Sequence, residues 1–160
     1  MNTKGTLKTL AAATAFGAMF VASQVSAAPA SAVLRLPFGE SQVLAYSWGA
    51  SQSGSIGGGG GGGGAGKASL QDVSLTRLTD SQSPQILKVL VLGQHLPFVE
   101  LEAGGTKFRL EEVIISSYST GGAIDNKSPR TDNVTFNFGK ITYTVDGTST
   151  CFDIAMNRAC

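Results

Sequence analysis

Histidine, cysteine and charged residues are scarce in this sequence. Its 160 residues include one histidine, two cysteines and 14% charged residues, and the formal net charge is +1. A nearly neutral chain has no broad positive field for gathering nucleic acid, so we expect no nucleic-acid partner. The one histidine, His95, has no cysteine or carboxylate at ligand or triad spacing. We therefore predict no catalytic residue, metal or cofactor, and interpret His95 as a solvated or capping residue in a turn.

Residues 1–27 have the pattern of a secretory signal peptide. Lys4 and Lys8 precede an uncharged apolar stretch, and Val25-Ser26-Ala27 supplies small residues for cleavage after Ala27. The apolar stretch is shorter than the ~20 residues that a membrane-spanning helix needs. We therefore expect export to the periplasm or the extracellular space, with no membrane association after cleavage.

Both cysteines, Cys151 and Cys160, lie in the last ten residues. In an oxidising compartment they would form a disulfide that holds the C-terminus in place. Two ligands without a nearby histidine do not make a metal site. Residues 150–160 are therefore predicted to be a disulfide-closed tail.

Alternation of apolar and polar residues predicts mostly strands. In the stretch 42–48 the bulky Leu44, Tyr46 and Trp48 are expected to form one buried face. One short helix is predicted from Ser83-Pro84, a cap and first-turn pair, to Gly93, a residue suited to the left-handed conformation that ends a helix. The remaining predicted segments are a lead at 28–32, strands at 33–38, 68–78, 96–102 and 106–119, a Gly/Ser-rich loop at 49–66 and a loop at 120–132.

The last predicted strand changes phase. Its apolar residues fall on even positions up to Phe138 and on odd positions from Ile141, so we predict a bulge or sharp bend at Gly139. Six or more mostly antiparallel strands with one short helix indicate a closed or nearly closed barrel over residues 33–149.

The glycine run resembles a phosphate-binding loop only in the identity and spacing of a few residues. Gly61 and Gly66-Lys67 have the spacing of such a loop, but Ala68 occupies the place where a Ser or Thr must hold magnesium. A strand rather than a helix is predicted to follow Lys67, so there is no helix N-terminus for a phosphate. Nucleotide binding is not expected.

Four segments in order resemble the Hcp family, the tube proteins of type VI secretion. They are Tyr46-Ser-Trp48-Gly-Ala-Ser-Gln52-Ser-Gly-Ser, Gly66-Lys67-Ala-Ser-Leu-Gln71-Asp72-Val-Ser-Leu-Thr76, Leu110-Glu-Glu-Val113-Ile-Ile-Ser116-Ser-Tyr-Ser119-Thr-Gly-Gly122 and Asp132-Asn133-Val134-Thr-Phe136-Asn-Phe138-Gly-Lys140-Ile141. The resemblance covers about residues 33–146. It implies a mainly β fold, an antiparallel β-barrel of two curled sheets with one short α-helix at its side.

The resemblance also implies a function without enzymatic activity. Family members form six-membered rings that stack into a tube, so the expected partners are further copies of the chain and the spike and effector proteins of type VI secretion. The glycine loop corresponds to an extended loop that reaches neighbouring subunits. The implied subunit-contact residues are Ser51, Gln52, Gly57, Gly58, Gly59, Gly60, Gly61, Gly62, Gly63, Gly64 and Lys67.

Two functions stay open at this point. The first is a ring-forming tube subunit, whose relatives assemble in the cytoplasm. The second is an exported barrel that works as a periplasmic or extracellular binding module outside the tube. The family resemblance makes the first the primary prediction, while the signal peptide and the C-terminal cysteine pair, which the resemblance does not imply, are the reasons to keep the second as the alternative.

Overall fold

The computed structural model describes residues 32–54, 66–125 and 127–160, which form ten strands and one helix. Residues 1–27, predicted to be a signal peptide, and Gly57–Gly64 lie outside the described residues. The elements are β1 (Ala32–Leu36), β2 (Gly39–Ser47), β3 (Ala50–Gln52), β4 (Ala68–Leu70), β5 (Val73–Leu78), α1 (Ser83–Val91), β6 (Leu96–Ala103), β7 (Thr106–Gly121), β8 (Thr131–Val145), β9 (Thr148–Asp153) and β10 (Arg158–Ala159).

Eight strands form one antiparallel sheet in the order β10-β9-β8-β5-β2-β1-β6-β7, and β7 also pairs with β8. This second pairing closes six strands into a barrel. The 15-residue β8 makes closure possible because one of its edges pairs with β7, while the other pairs first with β5 and then with β9. The predicted antiparallel barrel with one short helix is confirmed, although the barrel is one sheet closed on itself.

The barrel interior is filled by alternating apolar side chains from the strands. Phe136 has no exposed surface and pairs with Val73 on one side and Ile115 on the other. Ile86 and Val89 of α1 join the same core, and α1 packs against β7. The helix therefore adds to the core of the barrel.

The helix ends as its sequence predicts, but its beginning differs. Gly93 has a φ of 59°, and the amides of Gly93 and Gln94 donate to the carbonyls of Leu90 and Val89, which is a Schellman ending. At the other end, Gln82 is the N-cap and makes no side-chain capping hydrogen bond. Ser83, predicted as the cap, is the first helical residue and its hydroxyl is buried among charged side chains.

The predicted buried face of β2 is wrong at Leu44. The pairing of β2 with β5 shifts register between Val43 and Ala45, so Leu44 is the extra residue of a bulge and is 51% exposed. Beyond the bulge, Tyr46 and Trp48 pack edge-on against Phe108, but Tyr46 is 40% exposed and Trp48 is only partly buried, so the predicted buried face is wrong at Tyr46 as well.

The predicted change of face in β8 at Gly139 is confirmed, but the predicted bulge is not found there, because the pairing with β7 keeps one register from Val113 and Phe138 to Glu111 and Lys140. Phe138 and Ile141 are both buried, which an unbroken alternation would not allow. The paired strand β7 changes face at the same level, between Leu110 and Val113, and Glu112 between them has a φ of 54°. The register shift of this strand pair lies elsewhere, between Ile115 and Ser117.

Candidate assembly site

The outward hairpin, which we define as β3 and β4, is a two-stranded sheet separate from the barrel sheet. Its pairs are Ala50 with Leu70, Ser51 with Ser69 and Gln52 with Ala68, and every residue of β3 is exposed. The predicted strand 68–78 is thus divided into β4 and β5. A hairpin of two short strands is marginally stable by itself in water. It therefore depends on what holds its base and on what covers it.

Side-chain hydrogen bonds attach the base of the outward hairpin to the barrel. The Asp72 carboxylate accepts from the Ser116 hydroxyl and the Asn137 amide, each at 2.8 Å. Ser116 lies at the register shift of β7, which changes the local alternation of that strand. The Gln71 amide donates to the Gly49 carbonyl at 2.9 Å, so backbone and side chains together fix the point where the hairpin leaves the barrel.

A buried ion pair lies on the buried face of β5. Arg77 and Asp132 are both fully buried and their Nη1 and Oδ2 atoms are 3.0 Å apart. Arg77 also donates to the hydroxyls of Ser41 and Ser83 and to the Asp80 carboxylate. The pair joins β5 to β8, while its hydroxyl partners lie on β2 and at the start of α1. We call these five residues the buried charge cluster.

Hydrogen bonds keep the buried carboxylate ionised. Burial alone would raise the pKa of Asp132, but hydrogen bonds from Ser83, Thr79 and Thr120 and the charge of Arg77 outweigh it. The pKa of Asp132 therefore lies below its ordinary value. The sequence carried one signal of this cluster, since Arg77 alternates in phase with the buried Val73 and Leu75.

Sequence comparison shows the family of this fold. A family profile described as "Type VI secretion system effector, Hcp" matches residues 38–145, which is more than half of the chain. The chain belongs to the Hcp family. It is 43% identical over 84 residues to Protein hcp1 of Pseudomonas aeruginosa, in a match that covers 47% of this chain and spans about half (51%) of that protein.

Solved Hcp structures share the fold at low sequence identity. Hcp1 from Salmonella typhimurium superposes with a TM-score of 0.68 at 19% identity, covering 81% of this chain and 98% of that chain. A structure described as a type six secretion system protein has a TM-score of 0.73 at 19% identity, covering 82% of this chain and 99% of that chain. The Hcp barrel is therefore complete in this chain.

The subunit-contact residues implied by the Hcp resemblance map to the outward hairpin. Ser51 and Gln52 lie on β3, and Lys67 directly precedes β4 with its side chain exposed. The Gln52 side-chain amide donates to the Gly66 carbonyl at 2.7 Å, which holds the two arms together beyond the last strand pair. The predicted contacts at Gly57–Gly64 fall outside the described residues.

The described structure also shows the surroundings of His95 and of the possible metal ligands. His95 is exposed between α1 and β6 and makes no side-chain hydrogen bond in the described part of the chain. Within residues 32–54, 66–125 and 127–160, no group of three metal-ligating side chains comes together. No described helix is long and apolar enough to cross a membrane.

A disulfide joins Cys151 of β9 to Cys160, the last residue of the chain. Between them, β10 pairs only Arg158 and Ala159 with β9, and both of these residues are exposed. Two exposed pairs bury too little to offset the conformational entropy of ordering the tail. The disulfide is therefore what keeps β10 against the sheet.

Removing this disulfide is expected to release the tail and leave the barrel folded. In the Cys151→Ser/Cys160→Ser variant, trypsin should cleave after Arg158 at least about tenfold faster than in the oxidised protein, because the pairing of β10 opens locally. Mass spectrometry after quenching and reduction of both digests follows the loss of the last two residues, because in the oxidised protein the disulfide would otherwise retain them after cleavage. Circular dichroism should be unchanged. Cleavage after the exposed Lys127 is the internal control and should be equal in both proteins. Equal cleavage after Arg158 would contradict this role of the disulfide.

Proposed function

We propose that this protein is a non-enzymatic subunit of a type VI secretion tube, in which six copies form a ring and rings stack. The observation that carries the proposal is the complete Hcp barrel with a separate hairpin outside it. The exposed backbone and side chains of the hairpin can contact a neighbouring copy. Such a contact would stabilise the hairpin, because a short two-stranded sheet is only marginally stable alone in water. Spike and effector proteins of the same system are the further partners that the family membership suggests.

The tube proposal predicts a ring in solution. Size-exclusion chromatography with light scattering on the purified protein should give about six times the chain mass, and negative-stain images should show stacked rings at high concentration. Deletion of Gly57–Gly64 should abolish stacking, whereas replacement of the same eight residues by alternating Gly and Ser should preserve it because loop length is kept. A monomer at every concentration would refute the proposal.

The second candidate is an exported Hcp barrel that acts as a periplasmic or extracellular binding module. The disulfide favours it, because disulfides persist in oxidising compartments and are rare in the cytoplasm. In this proposal residues 1–27 are removed on export and residues 28–32 lead into the barrel. The deletion of the gene would then leave type VI secretion intact, and cell fractionation would recover the processed chain in the periplasm or the medium.

A further inference from the structure

Glu112 has an unusual backbone conformation for a residue in the middle of a strand. Its φ of 54° lies in the left-handed region, which residues with a side chain rarely adopt. Such residues persist only where the surrounding structure holds them, and they are frequent at functional sites. The flanking buried residues Leu110 and Val113 show what holds Glu112 here, because its conformation lets both side chains enter the core.

The side chain of Glu112 lies across Gly139 of the neighbouring strand. A Cβ atom at position 139 would come within 2.7 Å of the Glu112 Oε2 atom. The absence of a side chain at Gly139 therefore leaves the space that the carboxylate occupies. The left-handed backbone of Glu112 on β7 and the absence of a side chain at Gly139 on β8 together place this carboxylate at the surface.

The carboxylate borders an open depression of about 630 Å³. The walls combine apolar and polar side chains, among them His95, Pro97, Glu112, Ile114, Asn137 and Phe138. An open depression with apolar walls and one carboxylate suits a long side chain that ends in a positive charge, because its methylene groups can contact the walls.

Glu112 differs from the other glutamates because no basic side chain of the described residues pairs with it. Each of the other four forms an ion pair: Glu40 and Glu102 with Arg35, Glu100 with Lys107 and Arg109, and Glu111 with Arg109 and Lys140. In residues 32–54, 66–125 and 127–160, Glu112 forms none. Its charge is therefore available for a cation from outside the barrel.

Lys67 has the complementary properties. It is exposed on the outward hairpin and forms no ion pair with the described residues. Asn137, which lines the depression, also binds Asp72 at the base of the hairpin. Asp72 lies five positions after Lys67, which is at most roughly 16 Å of extended chain at the rise of a strand. Lys67 therefore lies well out along the outward hairpin from its base, where a neighbouring copy can receive it.

We propose that the depression at Glu112 receives Lys67 from the outward hairpin of a second copy of this chain. The ammonium pairs with the Glu112 carboxylate, and the lysine stem packs on Pro97 and Ile114. This inference rests on the proposed ring assembly, since it requires that copies of the chain associate, and it names one contact between them.

A charge exchange tests the contact. Glu112→Lys and Lys67→Glu should each raise the protein concentration needed for half-maximal assembly about tenfold, as measured by light scattering, because each places like charges together. The double variant Glu112→Lys/Lys67→Glu should return to within about threefold of the unmodified protein. The mismatched control Glu112→Lys/Lys127→Glu has the same net charge and should stay as weak as Glu112→Lys alone.

Two further variants separate assembly from folding. Glu112→Gln keeps the shape of the side chain without its charge, and Glu112→Gly suits the left-handed backbone. Neither variant should have a melting temperature more than a degree or two below that of the unmodified protein, yet both should assemble less readily. Normal assembly of Glu112→Lys, or failure of the charge exchange to restore it, would overturn the inference while rings of the unmodified protein still support the proposed function. Absence of any assembly by the unmodified protein would overturn both.

Discussion

Replacing Asp132 with alanine is expected to lower the free energy of unfolding by about 3–5 kcal/mol. The substitution leaves the fully buried Arg77 guanidinium with the partly exposed Asp80 as its one remaining carboxylate partner, and it also removes the acceptor of the Ser83 and Thr79 hydroxyls. Losing the buried partner of a buried charge costs far more than the net contribution of the pair. Urea denaturation followed by circular dichroism measures the loss.

Two controls show whether the loss comes from the unpaired charge. The double variant Arg77→Met/Asp132→Leu removes both charges and should recover much of the lost stability, since apolar residues of similar size often replace buried ion pairs at little cost. Asp125→Ala removes an exposed loop carboxylate that accepts only local hydrogen bonds from Lys127 and Ser128, and it should cost no more than about 1 kcal/mol. A loss below about 1 kcal/mol in Asp132→Ala would contradict the role of the buried charge cluster.

The same carboxylate makes the fold sensitive to acid. Because the pKa of Asp132 is lowered in the folded protein, its contribution is complete above the unfolded-state pKa of about 4 and is lost as the pH falls through the folded-state pKa. The unmodified protein should therefore lose stability below about pH 4. Asp132→Asn should be less stable at pH 7 and should show a shallower decline over that acidic range.

Replacing Phe136 with alanine is expected to lower the free energy of unfolding by about 3–5 kcal/mol. Phe136 has no exposed surface and lies on β8 between β5 and β7, the two strands that β8 connects to complete the barrel. Its truncation leaves a cavity that the closed sheet cannot easily collapse to fill. The free energy follows from urea denaturation, and Phe136→Leu should cost less because most of the volume is kept.

Leu44→Ala is the control for Phe136→Ala, because it truncates a large apolar residue that the structure places at the surface. The sequence pattern put Leu44 on a buried face, whereas the bulge in β2 leaves it 51% exposed. Its truncation should therefore change the stability by no more than about 0.5 kcal/mol. A loss of several kcal/mol in Leu44→Ala, or a negligible loss in Phe136→Ala, would contradict the placement of these residues.

The elements that were predicted correctly depend on residues that are close together in the sequence. Gly93 ends the helix because its lack of a Cβ permits the left-handed conformation, a property of the residue itself. The change of face at Gly139 was visible in the spacing of Phe138 and Ile141 on one strand. The same reasoning failed at Leu44, because a bulge depends on the register with a partner strand and leaves no local signal in this stretch.

The candidate sites were less visible than the fold. The sequence placed Ser51, Gln52 and Lys67 near an assembly loop only through the family resemblance, and it contained nothing that paired Asp72 with Asn137. These two residues are 65 positions apart, and their contact exists only when β8 lies beside β7 and β5. The left-handed backbone of Glu112 has no signal in the sequence, because this conformation follows from the packing of Leu110 and Val113 on either side.

The sequence alone determined the fold class and the family of this protein: mostly strands with one short helix, and the ordered segments of the Hcp family. Those features reside in single residues or short stretches, where backbone preference and side-chain alternation are sufficient. Only the tertiary structure decided that the sheet closes through β8, that Arg77 meets Asp132 from 55 positions away, and that Glu112 borders a depression. Each of these depends on strand register, which the burial of all the strands together selects.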